Sequence, residues 1–217
     1  MLPNLPASLP YPLQPTADGS LTLHHNETQQ AYHNQAGAWS ESYAHYVNHS
    51  LFSALLTTQK AFTLLDPSFG LGYNSFSFVQ AVWEWLHQPD TPSFTTPLRL
   101  NIIAFELDAS LAPLWPMMLN QPCYTNLPPE FKCSLEHNIY YQTINAPSTP
   151  IQLNTPKATL ELSFSVFIGD SNQLLAACLK EGRLHKGSVD ALFYDMFSPQ
   201  AVPELWCSDV FASYHAV

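Results

Sequence analysis

The sequence predicts an α/β fold, a mainly parallel β-sheet with helices on both faces. Apolar segments typical of buried strands alternate along the chain with segments of helical spacing. Three predicted strands end in acidic residues, at Asp66, Glu106 and Asp170. Two of the seven glycines, Gly70 and Gly72, come shortly after the first of these strands. Because ligands bind outside the carboxyl ends of parallel strands, these residues mark the expected site.

The first 60 residues are expected to form an extension that packs on an α/β domain of residues 61–217. The extension begins with a proline-rich arm. A hairpin should follow, because residues 20–25 alternate in polarity after an Asp-Gly turn signal and precede a second segment at residues 30–34. Apolar and aromatic residues then recur at helical spacing from Trp39 to Leu56, which predicts a helix.

The predicted elements of the α/β domain are read from apolar runs, helical spacing and proline or glycine breaks. The strands are residues 62–65, 98–108, 137–144, 159–170 and 189–195. The helices are residues 74–86, residues 110–119 with breaks at two prolines, and residues 171–182.

The formal net charge is −10, and only seven residues are lysine or arginine. This argues against a broad phosphate-binding face, which needs clustered basic residues, and leaves only a small local patch around Lys180 to Lys186 open. No apolar run reaches the length of a membrane span, and the N-terminus lacks the pattern of a secretory signal. The four cysteines form no CxxC pair and have no zinc-ligand spacing. We therefore expect a cytoplasmic protein without a metal site.

The glycines let the backbone approach a ligand, and the following helix presents unpaired N–H groups. The same turn is also typical of a tight strand–helix connection without a ligand. Glu106 is placed to accept from both hydroxyls of a ribose. Asp170 is placed either to accept from an adenine amine or to cap the next helix. An acid-lined pocket without basic residues favours S-adenosylmethionine, which carries a sulfonium, over NAD, which carries anionic phosphates.

Three segments in the right order resemble one family. "DPSFGLGYNS" is similar to the first motif of class I methyltransferases, with Ser68 where the first of three alternate glycines stands. More specifically, it resembles the glycine turn of the methyltransferase domain of the tRNA-modifying MnmC family. "PTADGSLTL" with "AYHNQAGAWSES" looks like that family's N-terminal segment, and "VDALFYDMFSPQAVPELW" looks like its later motif. The resemblance implies a Rossmann-like class I methyltransferase sheet preceded by a hairpin and helix extension.

The resemblance also implies roles for individual residues. S-adenosylmethionine would be the methyl donor, and the acceptor would be the aminomethyl group of a modified uridine at the tRNA wobble position. Asp195 would face that amine, orient it and take a proton. Phe197 and Pro199 would form the wall of the acceptor site. The cofactor would be bound by Glu41, Asp66, Gly70, Gly72, Asn74, Glu106 and Asp170.

The sequence departs from the family pattern in three respects. Ser68 in place of a glycine is expected to tighten or shift the turn. The net charge fits poorly with tRNA as a partner. The chain ends at Val217, before the last strands of a class I sheet, so we expect a bare sheet edge unless a partner protein or a second copy covers it. Two alternatives stay open, an inactive cofactor-binding module that works with a partner and an NAD-dependent α/β oxidoreductase.

Overall fold

A computed structural model describes residues 12–138 and 149–217 of the chain. The strands are β1 (Leu13–Pro15), β2 (Leu21–His25), β3 (Gln30–Ala31), β4 (Ala61–Asp66), β5 (Leu98–Glu106), β6 (Ile151–Asn154), β7 (Thr159–Ile168) and β8 (Ala191–Leu192). The α-helices are α1 (Ala38–His45), α2 (Phe52–Gln59), α3 (Tyr73–Trp85), α4 (Trp115–Leu119), α5 (Pro129–Asn138), α6 (Ser171–Lys180) and α7 (Ser208–Tyr214). Short 3₁₀-helices occupy Val47–His49, Ala109–Leu114, Pro122–Tyr124 and Pro203–Trp206.

The central sheet has the strand order β6-β7-β5-β4-β8. β4 is parallel to β5 and to β8, and β5 is parallel to β7, whereas β6 is antiparallel to β7. The predicted α/β fold with a mainly parallel sheet is confirmed. β6 is a strand that the sequence analysis missed, because its four residues lie between prolines and alternate only briefly.

Two other predicted strands need correction. β8 spans only Ala191–Leu192 instead of residues 189–195. Beyond Phe193, whose N–H still bonds to Leu65, the chain leaves the ladder and the Asp195 N–H bonds to a side chain instead of a strand carbonyl. The strand predicted at residues 137–144 begins inside α5, and its residues 139–144 lie outside the described residues.

The predicted hairpin is confirmed, since β2 pairs with β3 in an antiparallel ladder. β1 adds a third antiparallel strand to β2. The helix predicted from Trp39 to Leu56 is wrong as a continuous element, because α1, a 3₁₀ turn and α2 divide it. The break follows from Leu51, which adopts the left-handed conformation with φ +54°. The Ser50 hydroxyl donates to the Val47 carbonyl at 2.7 Å and so competes with helical bonding just before that residue.

The core lies on both faces of the central sheet. On one face α3 is buried from Tyr73 to Val82, and its rings pack among aromatic residues of the strands and loops. On the other face α6 and α7 cover a smaller apolar cluster that includes Leu65 and Phe167. None of the helices in the described part of the chain is long and apolar enough to cross a membrane.

Candidate functional site

The turn after β4 contains both glycines, and each one is glycine for a different reason. Gly70 has φ +54° and Gly72 has φ +85°, values that other residues rarely adopt. A Cβ on Gly72 would overlap the ring of Phe76 and lie 2.9 Å from Phe69, so this position is closed by the core. A Cβ on Gly70 would lie 3.3 Å from Tyr32 in the cavity wall. Only Gly70 therefore forms part of the cavity surface.

Glu106 holds this turn in place. Its Oε2 accepts from the Gly70 N–H at 2.6 Å, and its Oε1 accepts from the Asp108 N–H at 2.7 Å. The Gly70 carbonyl accepts from Trp115 Nε1 at 2.8 Å, so both backbone groups of Gly70 are already bonded within the protein. At Gly70 the turn therefore contributes close approach of the backbone to the cavity and no unpaired backbone group.

Two carboxyls at the strand ends are buried. Glu106 is 8% exposed but lines the cavity, whereas Asp66 is fully buried behind it. Burial raises the pKa of Glu106 to about 7 and that of Asp66 to about 7. The Ser75 hydroxyl donates to Asp66 at 2.7 Å and partly opposes this shift. Both groups therefore change protonation near neutral pH, unlike ordinary surface carboxyls.

Asp195 is held by two contacts that originate far away in sequence. Asn74 Nδ2 donates to Asp195 Oδ2 at 2.8 Å, and the Asp195 N–H donates to the Ser68 hydroxyl at 3.0 Å. Asn74 Oδ1 in turn accepts from the Ser42 hydroxyl at 2.7 Å. Burial and the Asp195 carboxylate together raise the pKa of Tyr46 well above its ordinary value. The carboxylate is thus oriented on the cavity wall before any ligand binds.

Ser68 adopts a backbone conformation open to any residue, and the tightened or shifted turn stays a prediction. It is absent from the described residues with positive φ, so its backbone has no need of glycine. Its hydroxyl instead joins the end of β4 to the loop after β8. The serine that stands in place of a glycine therefore adds a hydrogen bond that links the segments after β4 and β8.

Asp170 fulfils one of its two predicted roles and is positioned for the other. It caps α6, where its carboxylate accepts from the Gln173 N–H at 2.9 Å. It also lines the cavity beside Gly169. A contact with adenine stays a prediction, and the capping bond leaves room for it because a carboxylate has two oxygens.

The N-terminal strands form a wall of the cavity that the sequence analysis did not foresee. Phe197 packs against His25 and Tyr32, with ring centroids 5.1 Å apart in each pair. Gln30 binds Ser198 through both amide atoms, at 2.6 Å from its nitrogen and 3.1 Å from its oxygen. The β2–β3 hairpin is thereby fastened to the loop that carries Asp195.

The cavity has a volume of about 360 Å³, within the range of small-molecule sites. Among the predicted site residues, six line it: Glu41, Gly70, Glu106, Asp170, Asp195 and Phe197. Four lie outside its lining: Asp66, Gly72, Asn74 and Pro199. Asp66, Gly72 and Asn74 are buried behind the wall, whereas Pro199 is exposed, and direct ligand contacts of all four remain predictions.

The cavity residues fit S-adenosylmethionine. Within the described residues, no lysine or arginine lines the cavity, whereas five carboxyl groups do, which suits a sulfonium better than phosphates. His33 also lines the cavity, and its buried Nδ1 has no hydrogen-bond partner among the described residues, with Glu41 Oε2 as an ion-pair neighbour at 3.4 Å. A buried polar atom without a hydrogen bond calls for an explanation, and a polar ligand is one.

Comparison with known proteins agrees with this fit. Residues 134–217 match the model of a family described as S-adenosyl-L-methionine-dependent methyltransferases. The crystal structure of MnmC2 from Aquifex aeolicus superposes on 96% of this chain with a TM-score of 0.63 and 27% sequence identity. The chain spans 57% of the length of that protein. A search of curated proteins gives no match.

The fold, the cavity and the match of residues 134–217 together indicate a domain similar to S-adenosylmethionine-dependent methyltransferases. S-adenosylmethionine is the cofactor of the matched family, which removes the NAD-dependent alternative. The predicted resemblance to the MnmC family is confirmed by the similarity to MnmC2.

Proposed function

We propose that the protein transfers a methyl group to an amine, the aminomethyl group of a modified wobble uridine in cytoplasmic tRNA. The observation that supports this most directly is the carboxylate of Asp195, held at the cavity wall by Asn74. An amine attacks only in its neutral form, so a fixed carboxylate that accepts its proton favours the reaction. S-adenosylmethionine supplies an electrophilic methyl group when it is bound.

The wall next to Asp195 suits a flat ring beside the amine. His25, Tyr32 and Phe197 form one aromatic cluster at the cavity, joined to the Asp195 loop through Gln30 and Ser198. Aromatic faces stack on bases of any sequence, at about 1–3 kcal/mol per base. The cluster would hold the uracil while Asp195 orients its aminomethyl group, and holding both reactants in line supplies much of the acceleration.

The charge distribution limits how tRNA is bound. Within the described residues, no lysine or arginine lines the cavity, so phosphate contacts there would have to come from beyond the lining. We propose that a partner supplies them, a second protein or another copy of this chain along the free side of β8. In the described part of the chain β8 pairs with β4 and ends the sheet.

Methyl transfer from isotopically labelled S-adenosylmethionine to three acceptors tests the function. The acceptors are tRNA that carries 5-aminomethyluridine at the wobble position, the same tRNA with unmodified uridine, and the free modified nucleoside. Label in the first and not in the second supports the proposal, and label in the nucleoside shows that the cavity recognises the base and amine alone. No label in either modified acceptor, from a folded protein that binds the cofactor, would favour the inactive-module alternative.

A further inference from the structure

His33 lines the cavity and takes no part in the proposed methyl transfer. It is 8% exposed, and its buried Nδ1 makes no hydrogen bond of good geometry among the described residues, although Glu41 Oε2 lies 3.4 Å away. Leaving such an atom without a hydrogen bond destabilises the protein. His33, Asn34 and Glu41 all line the cavity. A polar ligand group beside these three residues would supply the missing partner.

The protein fixes the position of this imidazole. The backbone N–H of His33 donates to the Thr22 hydroxyl at 3.0 Å, which ties the residue to β2. Its ring meets the edge of Tyr73 at a centroid distance of 5.1 Å. The Tyr73 hydroxyl accepts from the Leu21 N–H at 2.9 Å, so the supporting ring is anchored as well. The side chain has a defined orientation in the absence of ligand, as a binding residue requires.

Glu41 lies next to His33 and offers an acceptor where His33 can offer a donor. Its Oε2 lies 3.4 Å from His33 Nδ1 and accepts from the Asn34 N–H at 2.8 Å. Burial alone would raise the pKa of Glu41, but the contacts with His33 and the Asn34 N–H bring it below its ordinary value. Glu41 is therefore anionic at neutral pH. A fixed carboxylate and an adjacent imidazole N–H complement the ammonium and the carboxylate of an amino acid.

We propose that His33 and Glu41 bind the amino-acid end of the cofactor, with Glu41 on its ammonium and His33 on its carboxylate. The assignment rests on the S-adenosylmethionine cofactor of the matched family and is independent of the acceptor. Within the described residues the cavity lining contains no lysine or arginine, and its other histidine, His25, packs against Phe197 beside the acceptor wall. His33 is thus the imidazole placed beside Glu41 to meet an anionic group.

Calorimetric titration with three ligands tests each half of the assignment. S-adenosylhomocysteine carries both amino-acid groups, its decarboxylated form keeps only the amine, and 5′-methylthioadenosine has neither. His33→Phe keeps the ring against Tyr73 and removes Nδ1. It should weaken S-adenosylhomocysteine about tenfold and leave the other two ligands within twofold, because one hydrogen bond to a charged group is lost. Glu41→Gln should weaken the first two ligands and spare the third.

Two further variants keep the result interpretable. His215→Phe makes the same change at an exposed histidine after α7 and should leave all three affinities unchanged. His33→Gln retains a side-chain donor and should recover part of the lost affinity if His33→Phe folds poorly. Unchanged binding of S-adenosylhomocysteine by His33→Phe, or equal weakening of all three ligands, overturns the inference. Neither result depends on methyl transfer, so a failure of the acceptor assignment would appear only in the transfer assay.

Discussion

The carboxyl ends of the parallel strands in the central sheet are acidic, whereas the amino ends carry charges of both signs, with Asp190 directly before β8. Acidic residues follow the strands at the carboxyl ends: Asp66, Glu106, Asp108, Asp170 and Asp195. Basic residues lie at or near the amino ends, or in the connection from α6 to β8: Lys60, Arg99, Lys157, Lys180, Arg183 and Lys186. The two sets also differ in environment, because Asp66 and Glu106 are buried whereas Arg99, Lys180 and Lys186 are exposed.

This difference separates the proposed site from the solvated part of the sheet. Burying a carboxyl without a basic partner destabilises a fold, and such groups are common where they have a function. Exposed basic residues contribute little to stability. Substitutions at the carboxyl ends should therefore change binding, transfer or pH dependence, and those at the amino ends should change very little.

The largest effect is expected from the glycine turn. Gly72→Val places a side chain against Phe76 and Phe69 at φ +85°, which should cost about 3 kcal/mol or more and abolish cofactor binding. Gly187→Val is the matched control, because Gly187 has φ +74° and a Cβ added there would meet no atom within 4 Å. It should lower the melting temperature slightly and leave binding intact. Equal losses from both variants would mean that backbone strain alone explains the effect.

Asp195→Asn should remove methyl transfer and spare the cofactor. The substitution keeps the shape of the side chain but removes the charge that accepts the amine proton, so kcat should fall at least about 100-fold. Calorimetry with S-adenosylhomocysteine should give a wild-type dissociation constant. The exposed Asp90 provides the control variant Asp90→Asn, which should behave as wild type in both measurements. Wild-type transfer by Asp195→Asn would remove this carboxylate from the mechanism.

Asp66→Asn should stabilise the protein increasingly as pH rises. The pKa of Asp66 is about 7 in the folded protein and 3.8 as an ordinary value, so the folded state binds more protons between these limits. The stability gained from that proton is present below about pH 4 and is lost as pH rises through 7. The variant lacks this loss, so its advantage over wild type in unfolding free energy should grow by about 2 kcal/mol between pH 5 and pH 8. A constant difference in denaturant titrations at both pH values would contradict the buried, protonated Asp66.

Asn74→Ala tests the support of Asp195 from behind. Loss of the 2.8 Å hydrogen bond should lower kcat roughly tenfold through a misplaced carboxylate and leave cofactor affinity unchanged. Ser42→Ala, which removes only the contact to Asn74 Oδ1, should have a smaller effect of the same kind. A loss of cofactor affinity without a loss of kcat would restore the direct cofactor contact predicted from the sequence.

The smallest effect is expected at the amino ends. Arg99→Gln should leave stability, cofactor affinity and transfer to the free nucleoside within about twofold of wild type, since the side chain is exposed. Transfer to tRNA is the informative measurement. A fall in the rate of methyl transfer to tRNA alone, at low salt, would show that the amino end of the sheet binds phosphates. Both ends of the sheet would then have a function.

The predictable parts of the site are residues that lie close together in sequence or that follow the carboxyl end of a strand. The glycine turn, the acids at strand ends and the parallel order follow from local patterns of residues 61–217. The role of Asn74 was not predictable, because its bond to Asp195 spans 121 positions. His33 and Tyr32 were missed for the same reason, although they stand in the "AYHN" segment beside the Glu41 motif.

The helix break at Leu51 was missed for a different reason. Apolar spacing continues through it, and only the exposed Leu51 and the polar residues before it signal the change. Periodicity reports which face is buried and does not report a left-handed residue. The short β6 likewise carries too few residues for alternation to be recognised.

Asp66 and Glu106, whose pKa values lie near 7, also link cofactor binding to proton exchange with the solvent. A cation bound in this cavity lowers the pKa of Glu106 and Asp66, so at neutral pH its arrival should release protons to the buffer. Loss of the positive charge on methyl transfer reverses that preference, and the same carboxyls take protons up again. The protein would then hold the charged donor more tightly than the uncharged product, and the preference should increase as pH rises through 7.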